Sequence, residues 1–342
     1  MSTKREKKCP VLVVTLGDAA GIGPEVIVKA LAVEKLRQRA CFFIVGDQRV
    51  LQQGIEVAGR GFEFEILENG KEARRQPGKV YMLDQGNLAP GDFAIGQVSV
   101  ETGRAMGQDL ARAVSLVQDG LADGMVFGPL TKAALNLGGY EVKDELHYLA
   151  QLVKMPAGAV FGEINKMGRL WLGRVTSHVA LKDIVLHINQ ESILNGLQLL
   201  VQTMSSYGGK PPQILVAALN PHAGDGGLFG TEENEIIAPA VSLAQQRGIS
   251  ASGPYPADTI FLRYIRGQGD GILAMYHDQG QIGAKLLGFN RAVTILAGLP
   301  LVVATPAHGS SFELAGKGQA NEMATQEAIK TAIRLAAKNK RQ

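Results

Sequence analysis

The chain has 342 residues, 46% hydrophobic and 20% charged, with a formal net charge of +3. Such a length suits two domains, and a modest charge spread along the chain gives no support to nucleic-acid binding. No apolar run approaches the roughly 18 residues of a membrane span, and the basic start, Lys4-Arg5-Glu6-Lys7-Lys8, reads as a solvated tail rather than a signal peptide.

Short β-rich runs alternate with helical patterns along the chain. Candidate strands are residues 11–16, 41–46, 80–83, 125–128, 170–175, 214–219, 272–276 and 293–296. The clearest amphipathic helices are 99–119, 181–206, 231–248 and 321–338. This alternation predicts an α/β protein with mainly parallel sheets. The first strand runs into Gly17-Asp18-Ala19-Ala20-Gly21-Ile22-Gly23-Pro24-Glu25. That stretch reads as a strand–turn–helix with Pro24 at the first helical position and Glu25 in the first turn, and it lacks the G-x-G-x-x-G dinucleotide fingerprint. Cys9 and Cys41 are too few for a disulfide framework, so both are expected as reduced thiols in a cytoplasmic protein. Residues 84–97, dense in Gly and Pro, read as an irregular segment.

Three histidines follow strand-like runs: His178 in VTSHVALKD, His222 in LNPHAGDGG and His277 in AMYHDQG. In an open α/β sheet ligands collect where strands end. Three imidazoles converging there suit a divalent metal with open positions, Zn²⁺ first, with Mg²⁺, Mn²⁺ or Co²⁺ as the other choices. Spacing alone fits unrelated loop histidines equally well, since no short HxxxH or CxxC pattern is present. The neighbours say more. Tyr276-His277-Asp278-Gln279-Gly280, Asn220-Pro221-His222-Ala223-Gly224 and Pro256-Ala257-Asp258-Thr259, with GDAAGIGPE (17–25), FGPLTKAALN (127–136), GTEENEIIAP (230–239) and HGSSFELAGKGQA (308–320), resemble the 4-hydroxythreonine-4-phosphate dehydrogenase family. The resemblance covers nearly the whole chain. It implies a homodimeric, metal-dependent enzyme using NAD or NADP, with the metal on His178, His222 and His277 and the active site at the subunit interface.

The stretch from His308 also resembles the His-Gly loop of isocitrate and isopropylmalate dehydrogenases, whose two-domain fold the family shares. That likeness implies that His308, Gly309 and Asn321 lie near the adenosine of the cofactor. It further implies a cofactor-side domain of residues 1–135 plus 300–342, a metal, substrate and dimerisation domain of 136–299, and an active site in the cleft between them.

Oxidising a secondary alcohol needs the hydroxyl proton to leave with the hydride, and a bound metal acidifies the oxygen it holds. Where the substrate carries a carboxylate β to the new carbonyl, carbon dioxide departs and an enolate must be quenched. Lys285, in QIGAKLLGF, is the candidate general acid, with Asp258 and Asp278 to tune it or orient the histidines. Lys132 is a candidate contact for a substrate carboxylate. The chain also departs from the family it resembles. A Gly-His-Thr-Glu phosphate grip reads Asp144-Glu145-Leu146-His147 here, and an Asn and an Arg that contact substrate fall on Thr294 and Val303. Two acids at a helix start repel phosphate, and Val303 cannot replace a bidentate guanidinium. These departures point to a cis-dihydrodiol carboxylate of the terephthalate dihydrodiol type, or another hydroxy acid. The alternatives are 4-hydroxythreonine-4-phosphate dehydrogenase activity itself and a catalytically silent metabolite-binding relative.

Overall fold

A computed structural model describes residues 9–339, so the basic start expected to be a solvated tail lies outside the described residues. The strands in chain order are β1 (Val11–Thr15), β2 (Cys41–Gly46), β3 (Glu65–Ile66), β4 (Val80–Asp84), β5 (Gly124–Phe127), β6 (Gly162–Met167), β7 (Leu170–Arg174), β8 (Ile214–Ala217), β9 (Ala251–Tyr255), β10 (Gly271–Ala274), β11 (Ala292–Ala297) and β12 (Val303–Pro306). The main helices are α1 (Gly23–Ala32), α2 (Glu34–Arg37), α3 (Gln48–Ala58), α4 (Val100–Gln118), α5 (Lys132–Leu137), α6 (Glu145–Leu152), α7 (Gln190–Tyr207), α8 (Ala238–Gln246), α9 (Ala257–Ile265), α10 (His277–Gly288) and α11 (Met323–Asn339). The chain is therefore α/β, with mostly parallel strand pairing. None of the helices among the described residues is long and apolar enough to cross a membrane.

The chain divides into two units. The first holds the residues up to Ala157 and those from Leu299 onward; the second is Gly158–Gly298. The first extends further into the chain than the expected boundary at 135. The reason is α6, which buries Leu146, Tyr148 and Leu149 and ties back to α4 through a 3.1 Å hydrogen bond from the Tyr148 hydroxyl to the Gly107 carbonyl.

In the first unit the strand order is β3-β4-β2-β1-β5-β12, and every pair is parallel. The strands of its centre are buried on both faces, as a sheet covered by helices on each side requires. In the second unit the order is β11-β6-β7-β10-β8-β9. There β7, β10, β8 and β9 run parallel while β6 pairs antiparallel with both β7 and β11. β6 escapes a sequence reading because GEINKM carries three polar or charged side chains. Two of the expected long helices are interrupted: 181–206 opens with a 3₁₀ turn over Leu181–His187, and 231–248 opens with a π turn over Glu233–Ile237.

The start of α1 is clamped in the first unit. Lys29 Nζ lies 2.6 Å from Glu25 Oε1 and donates to the carbonyls of Gly318 and Ala320 at 2.8 and 3.0 Å. Glu25 Oε1 also accepts the Ala320 amide at 2.8 Å. Both side chains are buried, so each ion depends on the other for its charge compensation. A second buried acid, Asp109 on α4, receives a 3.0 Å hydrogen bond from Asn87 Nδ2. Burial pushes its carboxyl up to about 7; the Asn87 hydrogen bond opposes the rise and the charge of Asp47 adds to it.

Two outcomes follow from these buried ions. Lys29→Met strands the Glu25 carboxylate and should cost about 3 kcal/mol in denaturant unfolding. Asp109 takes up a proton on folding between about pH 4 and pH 7, so stability should fall as pH rises across that window and level off above it. Asp109→Asn should remove that slope, by an amount on the order of a few kcal/mol between pH 5 and pH 8. Urea titrations of both proteins at the two pH values measure it.

Candidate active site

Parallel pairing of β7, β10 and β8 sends three chain exits to one edge of the second unit. His178 lies just beyond β7, His277 is the first residue of α10 after β10, and His222 sits in the turn after β8. The rings of His178 and His277 have centroids 5.8 Å apart. Two imidazoles on one tetrahedral ion, each nitrogen about 2.0–2.1 Å from it, hold their ring centres roughly 5–6 Å apart. The pair therefore fits a shared divalent ion. It opens into a cavity of about 230 Å³ lined by Ser177, His178, Ile184, Tyr276, His277 and Asp278. His222 packs its ring against Phe229 at 6.2 Å. Among the described residues no group of three His, Cys, Asp or Glu is assembled to hold a metal. One chain thus brings two of the three predicted ligands together.

The loops that carry these histidines are held in costly conformations. His178 and His222 both have φ near +54°, and Ala223 and Asp225 follow at +53° and +44°. Non-glycine residues in the left-handed region cost of order 1 kcal/mol or more each, so the surroundings must impose them. For His222 the enforcing group is Glu233 in the π turn. Its Oε1 accepts the amides of Leu219 and Asn220 at 2.8 and 2.7 Å, and its Oε2 accepts Asn220 Nδ2 at 3.0 Å. A Cβ on Gly224 would stand 2.7 Å from Glu233 Oε2, so only glycine lets the turn close on the carboxylate. For His277, Gln279 ties the site together. Its Oε1 accepts the Met275 amide and its Nε2 donates to the Ala218 carbonyl, both at 2.7 Å. Asp278 Oδ1 lies 2.6 Å from His277 Nδ1, which fixes that ring's orientation.

Asp258 is exposed in the first turn of α9. Lys285 is exposed too, its Nζ 6.0 Å from the Phe289 ring centre. Its apolar neighbours suggest a buried lysine, yet Leu286 and Leu287 are themselves 84% and 43% exposed because they lie on the outward side of α10.

The first unit gathers a second set of loops at the carboxyl ends of its adjacent strands β1, β5 and β12. The Asp18 amide donates to the Pro129 carbonyl and the Ile22 amide to the Ser310 carbonyl, each at 2.9 Å. Thr131 Oγ1 donates to Ser310 Oγ at 2.8 Å. A Cβ on Gly21 would meet the Ser310 side chain at 2.6 Å, so the two loops touch only because residue 21 is glycine. His308 stands in this set. Burial lowers its pKa, its Nδ1 faces the Gly309 carbonyl at 3.1 Å, and its Nε2 is buried without a hydrogen-bond partner. An imidazole kept neutral with a ring nitrogen to spare suits contact with a heteroaromatic ring. Gly309 is exposed, and Asn321 Oδ1 accepts the Met323 amide at 2.9 Å, starting α11.

The predicted substrate contacts are scattered. Lys132 is exposed at the start of α5, Glu145 is half-buried, and Leu146 is buried in the first turn of α6. Val303 is fully buried on β12 beside Met125. Thr294, on β11 in the second unit, accepts Asn165 Nδ2 at 2.9 Å. The α6 start is capped by the chain itself. Asp144 Oδ1 accepts the His147 amide at 3.0 Å and lies 2.5 Å from His147 Nδ1. Burial works against the charge of Asp144, but the His147 hydrogen bonds and the charges of His147 and Lys132 hold its carboxyl below the ordinary range. Sequence reasoning named Asp144 as an acid at a helix start but not as the cap for His147, and gave no role to Glu233, Gln279, Asn165 or Arg174, since their partners are remote in the chain or depend on turn geometry.

The family model described as pyridoxal phosphate biosynthetic protein PdxA matches residues 38–332. The chain belongs to this family. A putative 4-hydroxythreonine-4-phosphate dehydrogenase 2 of Pseudomonas aeruginosa is 42% identical over 95% of this chain and 97% of its own. D-threonate 4-phosphate dehydrogenase of Bordetella bronchiseptica is 38% identical over 96% of this chain and 93% of its own. Among solved structures, 4-hydroxythreonine-4-phosphate dehydrogenase from Klebsiella pneumoniae superposes with a TM-score of 0.84 at 32% identity, covering 96% of this chain and 98% of that one. Terephthalate 1,2-cis-dihydrodiol dehydrogenase from Burkholderia xenovorans gives 0.65 at 26% identity, covering 95% and 98%. This PdxA-family chain is thus an oxidoreductase of the dehydrogenase class.

Glu233→Ala leaves the Leu219 and Asn220 amides without their acceptor. It should destabilise the protein by about 3 kcal/mol and speed hydrogen exchange at those two amides, which NMR or mass spectrometry reads.

Proposed function

We propose that this chain is a divalent-metal- and NAD(P)-dependent dehydrogenase that oxidises a secondary alcohol of a non-phosphorylated hydroxy acid or cis-dihydrodiol carboxylate, of the terephthalate dihydrodiol type, with decarboxylation. The observation that carries the metal is the pair His178–His277, 5.8 Å apart at the carboxyl ends of neighbouring parallel strands. With His222 they would hold the ion, Zn²⁺ before Mg²⁺, Mn²⁺ or Co²⁺. When bound, the ion supplies the acidity that lets an alcohol lose its proton, and the nicotinamide supplies the hydride acceptor. Asp278 keeps the His277 ring turned so that Nε2 points away from the carboxylate contact. Lys285 delivers a proton to the carbon left by carbon dioxide. His308, Gly309 and the Asn321 turn receive the adenosine end of NAD or NADP.

The substrate reading rests on α6. The resemblance puts a Gly-His-Thr-Glu phosphate grip at this helix start; here the chain's own Asp144 carboxylate accepts the His147 amide, with Glu145 beside it. A phosphate dianion would face two carboxylates. The names of the curated relatives favour a second reading, a 4-hydroxythreonine 4-phosphate or threonate 4-phosphate substrate. A catalytically silent relative is disfavoured by the stitching of the histidine loops. We also place the protein in the cytoplasm, where the Cys41 thiol, pushed up to about 12 chiefly by burial, stays protonated and inert.

A homodimer completes the reading. In the second unit Leu181, Leu186, Leu228, Leu286 and Phe289 are 74%, 77%, 73%, 84% and 52% exposed. Leu181, Leu186 and Leu228 lie on the segments after β7 and β8, Leu286 lies on α10 and Phe289 just after it. A second copy covering them would bury Lys285 and supply one ligand in trans.

Steady-state kinetics on phosphorylated hydroxy acids against aromatic cis-dihydrodiol carboxylates test the substrate. The dihydrodiol type should lead in kcat/KM by on the order of 10²-fold, equivalent to losing about two charge-assisted contacts to phosphate. A lead for a phosphorylated substrate overturns that reading. Mixing inactive single-histidine variants tests the shared site. Where the two altered histidines belong to different chains of one site, an equimolar mixture should regain about a quarter of normal activity, since about half the dimers are mixed and each has one of its two sites intact.

A further inference from the structure

A buried polar network in the second unit joins the two histidine-bearing segments at a single oxygen. Arg174, the last residue of β7, has a side chain 1% exposed. Its Nε donates to Ser177 Oγ at 2.9 Å, its Nη1 to Asn165 Oδ1 at 2.5 Å, and its Nη2 to Glu163 Oε2 at 2.7 Å. Asn165 Oδ1 also accepts Gln281 Nε2 at 2.7 Å, and Asn165 Nδ2 donates to Thr294 Oγ1 at 2.9 Å. Ser177 precedes His178. Gln281 stands one helical turn beyond His277 on α10. The two segments that present the close histidine pair therefore meet, each through one buried hydrogen-bonded side chain, on the amide oxygen of Asn165.

We propose that Asn165, with Arg174 and Gln281, is the positioning centre that sets the separation of His178 and His277. Its value for metal binding rests on the functional reading above. The energetics favour positioning over simple stability. An ion pair with its guanidinium buried, as in Arg174–Glu163, gains little over a well-packed apolar pair, because desolvation offsets its attraction. What an apolar pair lacks is direction. His178 has φ near +54°, a conformation its own backbone does not prefer, and the Arg174–Ser177 bond pins the residue beside it. On α10, rotation or sliding would swing His277, and Gln281 resists both because its acceptor is already fixed by Arg174. Thr294 closes the network from β11. Its hydroxyl is engaged with Asn165, which makes it part of this scaffold instead of a substrate contact.

The test compares Asn165→Leu and Arg174→Met with a control, Leu200→Ala, a fully buried position on α7 outside the network. Crystal structures of the metal-free variants read the pair directly. The proposal expects the His178–His277 separation to change by about 1 Å or more in both network variants and to hold in the control. Competition with a chromophoric chelator then reads Zn²⁺ affinity, expected to fall about tenfold or more in the network variants but not in a control of matched thermal stability. An unchanged separation with unchanged affinity overturns the proposal. Wild-type protein that binds no divalent cation overturns the metal reading alone, since the structural comparison still decides whether Asn165 positions the pair. If a network variant proves too unstable to crystallise, Gln281→Leu, which leaves the bonds from Arg174 to Asn165 and to Glu163 in place, gives the same reading on α10.

Discussion

Parallel hydrogen bonding among β7, β10 and β8 is the constraint on which the rest of the second unit depends. Strands paired in one direction all end on one edge, so residues far apart in sequence leave the sheet side by side. His178 and His277 are 99 positions apart in numbering yet have ring centres 5.8 Å apart, because Arg174 and Ala274 are register partners. The first unit obeys the same rule with β1, β5 and β12, which deliver the Gly17, Gly128 and His308 loops to one edge. Each unit spends its motif residues at strand ends and its apolar residues along the strands.

Strand ends alone do not make a site, since a loop left to itself relaxes toward ordinary backbone angles. From His222 to Gly226 five successive residues take positive φ. That run persists because the Glu233 carboxylate accepts two amides from the strand end and one side-chain amide. Charge-assisted bonds of this kind contribute roughly twice what neutral ones do, enough to offset the local strain. The π turn that presents Glu233 belongs with this arrangement: an extra residue in the helical turn aims the carboxylate back at the strand.

Much of this was legible in the sequence, for identifiable reasons. Apolar β-branched runs mark β1, β2, β8 and β10 because these strands are buried on both faces. Pro24 marks the start of α1, and the structure places that helix at Gly23. The histidines were visible because each follows such a run. β6 was not visible: Glu163 and Asn165 read as loop residues until Arg174 and Thr294, supplied by other strands, give them partners. Lys285 misled for a related reason. Its neighbours predict burial, but an apolar residue on a helix says only that something covers it, not that this chain does.

The contrast between the histidine loops of the second unit and the start of α6 in the first explains why the family is plain and the substrate is not. Histidine loops are fixed by many simultaneous bonds, through Glu233, Gln279 and Asn165, so a single substitution there leaves several buried groups unsatisfied. The start of α6 carries no such burden. Asp144 satisfies the His147 amide and the imidazole from within its own helix turn, so the cap works whether or not a ligand arrives. A self-sufficient cap frees the helix start from any obligation to bind an anion. Chemistry held by an interlocked scaffold persists, while recognition carried by one locally capped turn can change without disturbing the fold.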